Sequence, residues 1–320
     1  MVIVTHNGKF HADDAWATAV LNIVFPGCDI IRTRDPATIE AAEFAVDVGG
    51  IWDPAAGRFD HHQKGFSAAR QTGVPYASAG LVWREYGARC VAILAAEHTG
   101  HQLADDKARE IAYAIDADIV QYLDLSDVGA AKNAPGSYGL SAVVSGFNTN
   151  WLDEQRLGYE GAEAYRLAQF RRAMELLADI LTNGVKYRVG AMLAAEQVRQ
   201  GELLEDGKVL FLKNASLPWT QLVRKEMPKV LFVISHSIGE QRHLLHTVPV
   251  SADSFTARAD LPASWAGLRD AELAAETGVP DATFCHNGRF IAAVKSYEGA
   301  RALATLALKE VESGAVPRHR

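Results

Sequence analysis

At 320 residues the chain is too long for one ordinary hydrophobic core and suits two domains. Lys+Arg 32 against Asp+Glu 39 gives a formal charge of −7, without the basic surplus of a non-specific duplex binder, so any nucleic acid must be gripped locally or through bound metal. No run approaches the roughly 18 apolar residues of a membrane span. Three separated cysteines (Cys28, Cys90, Cys285) argue against a disulfide framework or zinc finger, and point to a reducing, cytoplasmic setting.

In chain order, "MVIVTH" predicts a short buried strand, entered with no basic leader and hence no export signal. It breaks at Asn7-Gly8, and "DDAWATAVLNIVF" follows at helical spacing. "CDIIRTR" predicts a second strand, "DPATIEAAE" a short helix opened by Asp35 and Pro36, and "FAVDVGG" a third strand stopped by two glycines. Helices are predicted through "SAGLVWREYGARCVAILAAEH" and "DKAREIAYAIDADIVQYLDLSD". Strands alternating with helices imply an α/β fold, a parallel sheet with helices on both faces. From Asn150 to about Gln200 the pattern is long and helical, with Phe170, Met174, Leu177 and Leu181 on one stripe. An acidic turn, 201–207, precedes the strand candidates "KVLFLK", "KVLFVIS", "LLHTVPV" and "ATFCHNGRFIAAVKS", and "EGARALATLALKEVE" closes the chain as a helix. The expected organisation is a catalytic domain over 1–150, a helical connector over 151–204 and a smaller C-terminal α/β domain over 205–320.

Ligands of open parallel sheets bind beyond the carboxyl ends of the strands. The first strand ends at His6, with His11 and Asp13 just past the turn, and the third ends at Asp47. A loop then carries Asp60, His61 and His62, and a helical stretch ends in Asp124 and Asp127. Each cluster alone reads as turn, cap or solvated loop. Four of them, in order on one α/β pattern, make chance a poor account. Mixed His/Asp donors suit Mn²⁺, Fe²⁺, Zn²⁺ or Mg²⁺, and imidazole makes Mg²⁺ alone less natural. Neither a G-x-S-x-G elbow nor a Walker-type loop is present, which disfavours serine-hydrolase and P-loop chemistry.

The order H-x4-H-x-D, D-V-G-G, D-H-H-Q and a late Asp resembles the DHH superfamily of phosphoesterases, which includes RecJ-type exonucleases and family II pyrophosphatases. More closely, "THNGKFHADDAWA", "IIRTRDP", "DVGGIWDP", "RFDHHQKGF", "ASAGLVW", "LPASWAGLRDAEL" and "FCHNGRFIAAVKSYEGA" resemble the MYG exonuclease family along nearly the whole chain. One departure is Asp127-Val128-Gly129, where that family has Asp-Asn-Gly. The resemblance implies two divalent ions, Mn²⁺ foremost, held by His6, His11, Asp13, Asp47, His61 and either Asp127 or Asp124, with Asp47 as the bridge. It implies catalytic roles for His62, leaning toward the scissile phosphate, and for Asp60. It also implies a 3′–5′ exoribonuclease acting on single-stranded RNA or short oligonucleotides, with a substrate-gripping C-terminal domain and room for a homodimer.

The motif His6-Asn7-Gly8-Lys9-Phe10 returns as His286-Asn287-Gly288-Arg289-Phe290 with no carboxylate at ligand spacing behind it. The first copy is expected to hold metal. In the second, Gly288, Arg289 and nearby Lys295 and Arg301 suit a phosphate or terminal nucleotide, making His286, Asn287, Gly288, Arg289 and Lys295, with Arg34 from "IIRTRDP", the substrate contacts. Trp219, Arg224, Lys225, Phe255, Arg258 and Trp265 are candidates for a strand-binding groove or for core. Two rival readings stay open: a hydrolase of small phosphates, and a non-catalytic binding protein stapled by metal.

Overall fold

Strand β1 (Val2–Thr5) is an interior strand of the first sheet, and its run Val2-Ile3-Val4 is apolar on both faces because both faces are covered. Its Ile3 enters the main core, while Val4 enters a smaller cluster with Ala42, Ala45 and Val48, as the period of two requires. The structure is a computed structural model, and it describes residues 1–130, 139–252, 254 and 256–318. The chain divides into two units, Met1–Val189 and Gly190–Arg320.

In the first unit, β1 is followed by α1 (Ala12–Val24), β2 (Asp29–Arg32), α2 (Pro36–Ala41) and β3 (Phe44–Val46). The short strands β4 (Trp52–Asp53) and β5 (Arg58–Phe59) complete a sheet of order β2-β1-β3-β5-β4. β2, β1, β3 and β5 run parallel, and β4 returns antiparallel to β5. After β1 the chain places β2 on one side and β3 on the other, so a crevice opens between the carboxyl ends of β1 and β3. α1 is buried almost all round, through Ala15, Trp16, Val20 and Leu21, and packs on α3 (Ser78–Thr99). Fully burying a side chain such as Leu21 contributes about 1.5–3 kcal/mol.

Beyond α3 come α4 (Asp105–Ile115), a π-helical segment Asp116–Val120, α5 (Gln121–Asp127) and α6 (Leu140–Ser145). The π segment was not legible in the helical pattern, since one extra residue per turn leaves the apolar stripe nearly intact. α7 (Trp151–Arg199) is the long predicted helix, interrupted at Gly158 (φ 65). Its Phe170, Met174, Leu177 and Leu181 enter the main core, as the stripe predicts.

The second unit carries a mixed sheet of order β10-β11-β9-β8-β7-β6. Its strands are β6 (Glu202–Leu204), β7 (Val209–Leu212), β8 (Phe232–Ser237), β9 (Arg242–Thr247), β10 (Ala282–Cys285) and β11 (Ile291–Val294). β7 and β8 are parallel, and the other pairings are antiparallel. α10 (Tyr297–Glu312) lays Leu303, Ala304 and Ala307 on one face; α8 (Thr220–Glu226) adds Val223 to a cluster with Leu210, Leu212 and Val233; α9 (Asp270–Thr277) packs by β10. β6 falls within the stretch read from sequence as an acidic turn. It is an edge strand made by backbone pairing to β7, with Leu203 56% exposed, so no side-chain alternation announced it.

Of the residues left open between a stacking groove and the core, three fall to the core. Trp219 and Trp265 are buried core residues, and Arg258 is buried too, its guanidinium donating to the carbonyls of Met227, Val230 and Arg224. Apolar area and a bonded guanidinium are worth more inside than at the surface. Phe255 lies outside the described residues.

Candidate metal centre

The carboxyl ends of β1, β3 and β5 deliver the first candidate ligands. His6 follows β1 and is 3% exposed; its Nε2 stands 3.3 Å from Asp14 Oδ2 and 3.4 Å from Asp47 Oδ2. Asp47 ends β3 at φ 55, a left-handed conformation that costs a non-glycine residue free energy and recurs at functional sites. The turn is held from below, where the Gly50 amide donates to Asp60 Oδ2 at 2.6 Å and the Asp47 amide to Phe59 O at 3.0 Å. Gly50 adopts φ 68, which the two glycines after Asp47 permit at no steric cost.

His61, just past β5, points Nε2 between Asp47 Oδ1 (3.3 Å) and Asp127 Oδ2 (3.1 Å). His62 turns Nδ1 to Asp60 Oδ1 at 2.8 Å and to Asp47 Oδ1 at 3.4 Å, with its side chain 60% exposed. His11 caps α1 and reaches Asp127 Oδ1 at 3.5 Å. Asp13, in the first turn of α1, is fully buried with neither carboxylate oxygen hydrogen-bonded. The helix N-terminus offsets part of that charge.

Ligand atoms of His6, His11 and Asp47 lie within 4.8 Å of one another, as do those of Asp47, His61 and His62, and those of His11, Asp13 and Asp127. The donor set fits a cation. Asp13 Oδ1 and Oδ2 are buried without hydrogen-bond partners, and His6 Nε2 and His61 Nε2 are buried 3.1–3.4 Å from carboxylate oxygens without a well-aligned hydrogen bond; groups left so cost about 1–3 kcal/mol each unless a cation satisfies them.

The titration behaviour agrees with this crowding. Burial, then the charges of Asp47, Asp127 and Asp14, push Asp13 well above the carboxylate range. For His61 burial works downward, but Asp127 and Asp47 outweigh it and raise the ring to about 10. His6 is likewise raised by Asp14 and Asp47 against its burial. Asp47 is lowered, the attraction of His61, His6 and His62 exceeding the cost of burial.

Two residues in direct contact with this cluster were not singled out from the sequence. Asp14 accepts from the His11 amide at 2.9 Å and stands beside His6; Ser78, at the start of α3, donates to Asp47 Oδ1 at 3.0 Å. Asp14 was legible only as a helix-favouring acid, and Ser78 only as part of the family-like stretch "ASAGLVW", with no contact attached to it. Asp124 stands apart from the cluster: its carboxylate faces Arg70 at 2.8 Å and accepts from the Gly80 amide at 2.9 Å. Burial lifts it to about 7 against the pull of Arg70 and that amide.

The two copies of the repeated motif form different turns. In the first, Gly8 takes φ 84; the Phe10 amide donates to Asn148 Oδ1, and Arg32 Nη2 donates to Gly8 O. In the second, a hairpin between β10 and β11, the left-handed residue is Arg289 (φ 57). Its amides are partly used within the turn, Gly288 N–H donating to His286 Nδ1 at 2.9 Å and Arg289 N–H to His286 O at 2.8 Å. The Arg289 guanidinium meets Asp260 at 2.8 Å. His286, Asn287, Gly288 and Lys295 are exposed, in the second unit; Arg34 is exposed in the first.

A family model named MYG1_exonuc, described as an uncharacterised protein family (UPF0160), matches residues 2–308. The chain belongs to the MYG1 family. It is 31% identical to the MYG1 exonuclease of Mus musculus, over 95% of this chain and 84% of that one. It is 29% identical to a MYG1 protein of Caenorhabditis elegans, over 99% and 98%. A solved structure of RecJ in complex with Mn²⁺ from Thermus thermophilus is 14% identical over 96% of this chain and 52% of that one, at a TM-score of 0.26. As a MYG1 family member the chain is a hydrolase of the nuclease and phosphoesterase class. Among its described residues no helix is long and apolar enough to cross a membrane.

Proposed function

We propose that this chain is a metal-dependent 3′–5′ exoribonuclease acting on single-stranded RNA or short oligonucleotides, with two divalent ions, Mn²⁺ foremost, at the β1–β3 crevice. His6, His11, Asp13, Asp47, His61 and Asp127 would hold them. The observation that carries the metal is the set of buried, unpartnered donors on Asp13, His6 and His61. The nucleic-acid substrate is supported by the exonuclease names of the mammalian relatives, and RNA and 3′ polarity by the motif resemblance.

Bound there, divalent ions would supply Lewis-acid stabilisation of the phosphoryl oxygens and a water ionised near neutral pH. The protein's own groups do the rest. Asp47 presents one oxygen toward His6 and the other toward His61 and His62, the disposition of a bridging ligand. Asp60 accepts from Nδ1–H of His62 and fixes the ring; as the imidazolium, protonated at both nitrogens, His62 would turn Nε2–H to a phosphoryl or leaving oxygen. Asp14 steadies His6 and the start of α1, and Ser78 steadies Asp47.

The deciding experiment follows a labelled RNA 10-mer and short dinucleotides with Mn²⁺ and with EDTA. Stepwise release of mononucleotides from the 10-mer in Mn²⁺ alone is expected. Phosphate release confined to the short substrates would move the reading to a small-phosphate hydrolase, and full turnover in EDTA would end it.

Metal uptake should release protons. The metal-free His61 keeps its proton up to about pH 10, and an ion must displace it. Affinity for Mn²⁺ is therefore expected to rise with pH, about tenfold per unit for each proton displaced. Calorimetry between pH 6 and 8, in two buffers of different ionisation enthalpy, counts those protons; zero release contradicts the site. In the second unit, His286→Ala and Arg289→Ala are expected to leave Mn²⁺ content unchanged while raising KM for RNA. Loss of metal in either variant would place those residues in the metal centre instead.

A further inference from the structure

Beside the metal centre lies an ion cluster with no part in the chemistry above. Arg70, on the loop after His61-His62, has a side chain 7% exposed. It forks onto Asp116, Nε to Oδ2 at 2.7 Å and Nη2 to Oδ1 at 2.6 Å, and its Nη1 stands 2.8 Å from Asp124 Oδ2. Nη1 also donates to Pro75 O at 3.2 Å, and the guanidinium lies 4.4 Å from the centre of the Tyr76 ring. Asp116 opens the π-helical segment between α4 and α5, a local departure from α geometry often met at functional sites.

The cluster and the metal centre share one short stretch, the first turn of α3. Ser78 Oγ donates to Asp47, and two residues on the Gly80 amide donates to Asp124. Position 80 admits only glycine in this arrangement: a Cβ there would lie 2.0 Å from Asp124 Oδ2, 2.6 Å from the Tyr76 ring and 2.8 Å from Arg70 Nη2. Asp124 and Asp127 sit three residues apart on α5, one helical face. Whatever fixes Asp124 therefore fixes the carboxylate that reaches His11 and His61.

We infer that Arg70, clamped between Asp116 and Asp124, is a positioning residue for the metal centre, setting where Asp127 stands and hence how tightly the ion at Asp127 is held. The inference rests on the metal reading above. It gives Asp124 a role other than ligand: Oδ1 accepts from the Gly80 amide, and Oδ2, which has no hydrogen-bond partner, is ion-paired with the guanidinium at 2.8 Å.

The test uses the full chain, stripped with chelator and titrated with Mn²⁺ by calorimetry at about 25 °C. Arg70→Lys keeps the charge and loses the planar fork. Asp116→Asn removes one partner of the fork at a partly exposed position. Both are expected to weaken the Mn²⁺ Kd about tenfold or more, as outer partners of metal ligands do, without changing the stoichiometry. Saturating Mn²⁺ should then restore kcat. Asp124→Asn should behave in the same way.

An Mn²⁺ Kd within twofold of the unaltered protein in both variants, even with a lowered Tm, would leave Arg70 a purely structural clamp and overturn the inference. Loss of one bound ion in Asp124→Asn, with Arg70→Lys unaffected, would overturn it by making Asp124 a ligand. If the unaltered protein takes up no Mn²⁺, the functional reading fails first and this one falls with it.

Discussion

Asp47→Asn is expected to lower turnover of RNA by about 10³-fold or more, equivalent to about 4 kcal/mol of transition-state stabilisation, and to reduce the bound metal. The size follows from position. Among the described residues Asp47 alone brings its oxygens to His6, His61 and His62, and it is buried with its carboxyl held below the usual range by those imidazoles. An amide keeps the shape and the bond from Ser78, but removes the charge on which the proposed ion positions depend. Steady-state kinetics and elemental analysis on protein purified without chelators check it. Activity within tenfold of the unaltered chain would remove Asp47 from the centre.

Asp13→Asn is expected to do two opposite things: end activity, and stabilise the metal-free protein. In the folded chain Asp13 is held well above its unfolded value, first by burial and then by Asp47, Asp127 and Asp14. The folded state keeps a proton that the unfolded state gives up. The metal-free chain therefore loses stability as pH rises from the unfolded carboxylate value near 4 toward the raised folded one. Asparagine has no such penalty, so the gain is absent at pH 3–4 and present at pH 7–8. A gain of about 1 kcal/mol raises Tm by about 2–4 °C for a unit of this size.

The unaltered protein should recover that cost by binding metal. Mn²⁺ at about a hundred times its Kd adds about 2.7 kcal/mol, and Asp13→Asn should lose most of that increment. Thermal melts with EDTA and with Mn²⁺ at both pH values separate the outcomes. A variant less stable than the parent in EDTA at pH 8 would show that Asp13 is held by something other than an ion.

The fold was legible where burial imposes a simple period. Continuous apolar runs such as "MVIV" became the covered strands of a parallel sheet, and Phe170, Met174, Leu177 and Leu181 became one buried stripe. β4, β5 and β6 were not, because two- and three-residue strands exist through backbone pairing and carry too few side chains to show alternation. The site was legible where one turn follows one strand, as at His6 and Asp47. The contacts of Ser78 and Arg70 were invisible: a serine opening a helix and an arginine in a polar loop look the same whether or not they touch a carboxylate brought from far along the chain.

The residue types, their order and their place after the strands were set by the local sequence alone, since strand ends and turns form from neighbouring residues. The folded chain decided which of those residues share a crevice, because that depends on β1 lying between β2 and β3 and on α5 reaching back to α3. The different surroundings of Asp124 and Asp127 are the clearest case. Three positions apart and chemically identical, they differ only in what the fold sets against them, a guanidinium for one and two imidazoles for the other.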